Sequence, residues 1–446
     1  MTHQLIIIGA GPGGYEVAVK AAKAGLSILI VEARHVGGTC LNEGCIPTKC
    51  LCRNAAMLQE IRKASAFGIS TGDVHFDLAT AIERKNSVVE RLTSGIRSLM
   101  TTPGITLVNG TARLVDVHTI EVDGTRYSAD HLIIATGSVS KFLPIEGAHS
   151  RDVVTSTELL NITQIPPRLC IIGGGVIGLE FASIFNAFGS EVTVIEYCKE
   201  ILPNFDRDIA KRLRTALKKQ GITFKTGAAV TAIREQPGHS VVEYTEKAAT
   251  QSTEADLVLM AVGRAANTAS PNLADVGIDF TPRGIIVNEN MQTSIPHIYA
   301  VGDVNGLCQL AHAATFQSYR ALNHMLGKTD EIDFDIIPAA VFTSPEVATV
   351  GLSEESAEAK GIPYSTHKAF YRANGKAMSM GSEEGMVKLL TDNDGIIIGC
   401  HILGEHAADL IHEAALLIRN RATVSQLRDS IHAHPSLSEI VLAAAE

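Results

Sequence analysis

LIIIGAGPGGYEVAVKAAKAGLSILIVE, residues 5–32, decides the fold. Leu5 to Ile8 is an apolar run of strand length, Gly9-x-Gly11-x-x-Gly14 is a glycine turn opening a helix, and a second apolar run ends on Glu32. In that setting the glycines permit a tight turn and close backbone approach. The helix start turns partial positive charge towards a pyrophosphate, and the carboxylate accepts ribose hydroxyls. Residues 169–196, LCIIGGGVIGLEFASIFNAFGSEVTVIE, repeat the unit without a gap, with Gly173, Gly175, Gly178 and Glu196 in the matching places. A strand, helix and strand of this kind build a parallel sheet through a right-handed crossover. Each copy is closed further on by an Asp-initiated apolar strand ending in glycine, DHLIIATG at 130–137 and DLVLMAVG at 256–263. The chain is therefore expected to be α/β, with two Rossmann-like dinucleotide-binding domains, one inserted in the other.

The expected division is 1–144 and 266–334 for the first module and 145–265 for the second. From 335 to 446 the texture changes to short apolar runs punctuated by glycine, then helical stretches, which predicts a separate α+β domain. With 446 residues, 46% hydrophobic and 19% charged, the chain is long enough for two to four cores. A net charge of -10 argues against phosphodiester backbones and anionic lipid as partners. No apolar run approaches a spanning helix, and neither an export signal nor an Arg-rich presequence is legible, so a cytoplasmic protein is expected. No metal site is expected.

GGTCLNEGCIPTK, residues 37–49, sets Cys40 and Cys45 close together. Asn42 and Gly44 allow the backbone to turn, so a small disulfide loop is sterically accessible. Lys49 supplies a cation that favours a thiolate. The bland alternative is two structural thiols, but in a chain without a secreted cysteine framework the pattern favours redox chemistry. Near the end, HAHPSLSE at 432–439 places His434 five residues before Glu439. A carboxylate that fixes an imidazole tautomer suits a proton carrier. Glu196 would repel a 2′-phosphate and no arginine follows it directly, which favours NAD over NADP.

Over essentially its whole length the chain resembles the flavoprotein disulfide reductases, the class I pyridine nucleotide-disulfide oxidoreductases, and within them the dihydrolipoyl dehydrogenases. Residues 37–49 match the signature GGTCLNxGCIPxK with Glu43 at the variable position, and 432–439 are close to HAHPTLSE. Thr343–Ala348 and Gly399–Gly404 resemble segments of the family's interface domain. The resemblance implies FAD in the first module, around Gly9, Gly11, Gly14, Glu32, Gly38, Thr39, Lys49, Ala112, Thr136, Gly137, Ser138, Asp303, Gln309, Leu310, Ala311 and His312. It implies NAD in the second, through Gly173, Gly175, Val176, Ile177, Gly178, Glu180, Glu196, Val230 and Gly263. Cys40 is then the thiol that meets substrate and Cys45 the one beside the flavin, Lys49 and Glu180 pair, and His434 with Glu439 serves the redox loop of a second subunit. A homodimer follows, joined through the last domain, with the lipoyl domain of a 2-oxo acid dehydrogenase or glycine cleavage complex as protein partner.

The implied activity is oxidation of dihydrolipoamide to lipoamide with reduction of NAD+ through the Cys40–Cys45 disulfide. Two alternatives remain at this level. One is a reductase of another disulfide or of a metal ion running from NAD(P)H outwards; the other is a non-catalytic flavin and NAD-binding sensor. Two departures stand out, Ala-Ala-Thr-Phe-Gln-Ser-Tyr-Arg after His312, and Ser344 where a histidine is common.

Overall fold

The computed structural model describes residues 2–269 and 271–446. The chain forms two compact units: 1–50, 80–141 and 263–332 make one, and 51–79, 142–262 and 333–446 make the other.

The first unit is built on a seven-stranded sheet. Thr2–Ile8 pairs in parallel with Ile28–Glu32 on one side and Thr125–Ile134 on the other. Ile105–Asn109 extends the first side, and Ile298–Ala300 pairs in parallel with Thr125–Ile134. The antiparallel strands Thr119–Val122 and Arg113–Leu114 close the far edge. Ile28–Glu32 is buried throughout, as a strand covered on both faces must be. Leu5, Ile6, Ile7, Leu29 and Ile30 are fully buried and contribute about 1.5–3 kcal/mol each. Pro12–Lys23, with proline in its first turn, carries the chain back across this sheet.

The second unit holds a five-stranded parallel sheet, a three-stranded antiparallel sheet and a five-stranded antiparallel sheet. In the parallel sheet Arg168–Ile172 lies between Glu191–Glu196 and Leu257–Met260, so the repeated motif sits on the same frame as its counterpart. The antiparallel sheet of 339–403 is covered by Ala407–Arg419, whose Ala407, Ile411 and Ala414 join Val350, Leu389, Cys400 and Ile402 in one core. Within this unit Lys388 is buried, 2.7 Å from Asp206, 2.8 Å from Glu354 and 3.3 Å from Asp208.

Two local readings are refined. The segment read as a turn at 37–49 is two helices, Gly38–Glu43 and Cys45–Lys63, broken at Gly44. Gly44 leaves helical geometry, with φ -140° and ψ -109°, and so ends the first helix, and an added Cβ there would meet the Thr39 carbonyl oxygen at 3.0 Å. The helix Leu78–Leu99 and the antiparallel strands Ala228–Gln236, His239–Glu246 and Ala249–Ala255 have no counterpart in the sequence reading.

Candidate active site

In the first unit the redox pair is assembled by the helix break. Cys40 lies in the middle of Gly38–Glu43 and Cys45 opens Cys45–Lys63, where the helix start favours negative charge. Both are free thiols, half-buried. The hydrogen bond that ties Cys40 to Cys45, together with burial, pushes the Cys40 thiol well up, while Lys49 pulls it down. Cys45, at the helix start, is the one placed to carry negative charge when the pair is reduced. Tyr15 is pushed up to about 12, by burial first and then by Glu16, with Cys40 adding to the effect.

The loop is stapled from a distance. Asn42 Nδ2 donates to the carbonyls of Val36 at 3.0 Å and Gly38 at 2.9 Å, and Thr93 Oγ1 donates to Asn42 Oδ1 at 3.4 Å. Thr48 Oγ1 donates to the Gly44 carbonyl at 2.6 Å.

Each glycine motif divides its work in the same way. A Cβ on Gly9 would lie 2.3 Å from the Ala135 carbonyl oxygen, and one on Gly14 1.9 Å from that of Gly9. At Gly173 and Gly178 the same distances are 2.3 Å, to Ala261, and 2.0 Å, to Gly173. The middle glycines differ: nothing lies within 4 Å at Gly175, and Gly11 meets only the Gly38 Cα at 3.8 Å. The outer glycines are thus required by packing, while the middle ones leave space at the start of a helix, which fits a pyrophosphate in both modules. Glu32 accepts from Ala10 N at 2.7 Å and Arg34 N at 2.8 Å; Glu196 accepts from Gly174 N at 2.5 Å and Cys198 N at 2.6 Å. Both carboxylates brace their own turns, and lone pairs beyond those bonds are left for ribose hydroxyls.

Around the first module Ala112 is buried. Ser138 Oγ donates to Asp303 Oδ2 at 2.5 Å and accepts from Arg264 Nε at 2.7 Å. Thr136 Oγ1 donates to the Asn267 carbonyl at 2.8 Å, and Gly137 between them has φ 69°. Leu310 precedes the helix Ala311–Met325, so Ala311 and His312 form its first turn, and Gln309 Nε2 reaches the Arg264 carbonyl at 3.4 Å. Arg264 and Asn267 were not singled out from sequence, although both follow Gly263 within a few residues.

In the second unit Val176 and Ile177 open the helix Val176–Phe188 after Gly175. Glu180 is buried on it, with Oε1 accepting from Phe342 N at 2.9 Å. Val230 sits at a bulge in Ala228–Gln236, and Gly263 has φ 104°. His434 Nδ1 lies 2.9 Å from Glu439 Oε1, and Ser436 N donates to Glu439 Oε2 at 2.7 Å. These bonds, Ser436 first and then His434, hold the Glu439 carboxyl below its usual range. Glu439 orients the ring through Nδ1, and Nε2 is left to exchange a proton. His432 has a carboxylate of its own, Glu413 at 2.7 Å.

The family described as pyridine nucleotide-disulphide oxidoreductase matches residues 3–318, and its dimerisation domain matches 337–445. Among curated relatives, a dihydrolipoyl dehydrogenase of Chlamydia muridarum is 40% identical over 442 residues, 98% of this chain and 94% of the relative. One of Thermus scotoductus is 41% identical over 451 residues, covering 100% and 97%. Among solved structures, the HOCl-induced flavoprotein disulfide reductase RclA of Escherichia coli superposes with a TM-score of 0.87 at 32% identity, covering 98% of each chain. LpdA of Mycobacterium tuberculosis gives 0.91 at 27% identity, covering 99% of each. FAD and NAD are the cofactors that go with this family, and the glycine cradles fit both. No helix among the described residues is long and apolar enough to cross a membrane. With its redox cysteine pair, two nucleotide modules and dimerisation domain, the chain belongs to the pyridine nucleotide-disulphide oxidoreductase family, and it is an NAD-dependent flavoprotein enzyme of that family.

Proposed function

We propose that the enzyme is a dihydrolipoyl dehydrogenase, oxidising a protein-bound dihydrolipoyl group to lipoyl with reduction of NAD+. The observation that carries the reading is the hydrogen-bonded Cys40–Cys45 pair at the start of Cys45–Lys63. It is supported by relatives of that name at 37–41% identity over nearly the whole chain. A bound FAD would supply the two-electron chemistry that links the dithiol to NAD+.

The chain's own residues do the rest. One substrate thiolate attacks Cys40 of the disulfide and forms a mixed disulfide, releasing Cys45 as a thiolate that the helix start stabilises. The second substrate sulfur displaces Cys40, so the lipoyl sulfurs join. His434, oriented by Glu439, takes the substrate's proton, and a second subunit supplies this dyad to the redox loop. Glu196 selects NAD by rejecting a 2′-phosphate.

We also propose the division at 144, 265 and 334, the last supported by a dimerisation match that begins at residue 337. The partner would be the lipoyl domain of a 2-oxo acid dehydrogenase or glycine cleavage complex, in the cytoplasm. Steady-state rates with dihydrolipoamide, against NADH-driven reduction of glutathione disulfide, test the assignment. A dominant rate with the second would reject it.

A further inference from the structure

Glu43 occupies the last position of the short helix that carries Cys40, two residues before Cys45. A carboxylate inside a redox loop opposes a thiolate forming beside it, by ordinary repulsion of like charges. This carboxylate is not free. Arg34 grips it with both terminal guanidinium nitrogens, Nη1 at 3.1 Å from Oε2 and Nη2 on Oε1. Arg34 is itself fixed at its backbone, where its N–H donates to Glu32 at 2.8 Å, the carboxylate that closes the first nucleotide strand. Glu43 is largely buried, with 17% of its side chain exposed, whereas Arg34 is 64% exposed. The pair therefore adds little to stability, and its consequence is the local potential.

A second observation places the same charges together. Arg264, a half-buried guanidinium held below its usual range first by desolvation, is drawn to Asp303, Glu43 and Cys45 and repelled by Arg34, so all of these lie within electrostatic reach of one group. Other ionisable neighbours of the redox pair include Lys49 one turn along the helix and Tyr15 from Pro12–Lys23, which faces Cys40. Lys85 from Leu78–Leu99 faces Cys50, further along the helix that Cys45 opens.

We propose that Glu43, restrained by Arg34, sets how readily Cys45 holds negative charge, and through it the potential of the Cys40–Cys45 couple. On reduction the substrate dithiol gives two electrons and two protons and closes its own sulfur–sulfur bond. The protein disulfide opens, one proton stays on Cys40, the other leaves through the base, and Cys45 is left as thiolate. Glu43 destabilises only that last species. Arg34 offsets part of the effect. The inference rests on the reading of Cys40 and Cys45 as the redox pair.

The test is a pH titration of the long-wavelength thiolate-to-flavin absorbance in two-electron-reduced, FAD-loaded protein, with equilibrium against the NAD+/NADH couple as a second readout. Glu43→Gln should lower the midpoint by roughly half a pH unit to one unit and raise the potential, and Arg34→Gln should move both the opposite way. Glu43→Asp, which keeps the charge, should stay near the parent value, and the double variant should fall between the singles. Unchanged midpoints in both single variants that retain FAD, or an Asp variant that shifts as far as the Gln variant, would overturn the proposal. Absence of the band from the parent enzyme would instead remove the redox-pair reading beneath it.

Discussion

Gly38 is packed against Gly11 so closely that a Cβ on Gly38 would lie 2.6 Å from the Gly11 Cα. The redox helix thus begins directly against the glycine turn of the first nucleotide module. Gly38 also has φ 59°, a backbone state that side chains resist. Gly38→Ala should lower stability by about 1–3 kcal/mol and loosen FAD retention. Gly11→Ala, whose Cβ meets only an atom at 3.8 Å, should keep the fold and lose FAD affinity alone. Thermal unfolding and FAD release on dilution separate the two, and equal losses of stability would contradict the division of labour.

Replacing His434 by Gln should lower dihydrolipoamide turnover by a factor of roughly 10²–10⁴, the usual worth of a positioned acid or base. Electron flow from NADH to an artificial acceptor does not need a thiol proton removed and should survive. Glu439→Gln should show a milder loss, because the bond from Ser436 to that side chain can persist. Parent-level lipoamide turnover in the His434 variant would reject its role.

How much of this was legible depends on the range of the interactions. The glycine turns, Glu32, Glu196 and the cysteine spacing are local, so the residues name their own geometry. Thr93 on Asn42, 51 residues away, and Arg264 on Ser138, 126 away, leave no local trace. The stripe of Leu78–Leu99 is interrupted by buried Lys85 and Thr93, which hides a core-facing helix inside a polar pattern. Ala249–Ala255 is mostly exposed and has no apolar alternation, so only its pairing with His239–Glu246 identifies it as a strand. At 37–49 Gly44 is a turning point, as its residue type suggests, but Asn42 is not, because the five residues between Gly38 and Gly44 are long enough to wind one helical turn.

Lys388→Met should be strongly destabilising, by about 3–5 kcal/mol, because it strands the buried Asp206 beside Asp208 and Glu354. Burial opposes the lysine's charge, yet Asp206 and Glu354 outweigh it and raise its pKa. Adding Asp206→Asn should restore part of the loss. A urea midpoint that does not move in the single variant would show that the cluster contributes nothing.

Acid should weaken both units. Burial lowers His131 in the first and His401 in the second below 6.5. His401 Nε2 donates to the Leu352 carbonyl at 3.0 Å and Nδ1 accepts from Thr349, so the neutral ring is the one that fits. The unfolded chain takes up these protons first, so stability is present above about 6.5 and is lost as pH falls through the depressed native values. His432 has the opposite sign. Burial disfavours its charge, but the Ser430 carbonyl and Glu413 outweigh that and raise it, so its contribution is present below 6.5 and is lost as pH rises through the raised value. Melting temperatures from pH 8 to 5 should fall on the acid side, less steeply in His401→Gln; an identical slope in that variant would contradict the assignment.

The most direct test of the central claim, that Cys40 and Cys45 form a reversible disulfide feeding a bound flavin, is an anaerobic titration with dihydrolipoamide. One equivalent should produce a long-wavelength absorbance that Cys45→Ser abolishes and NAD+ discharges as NADH appears. Direct bleaching of the flavin with no such band, or an unchanged band in the Cys45 variant, would contradict the account.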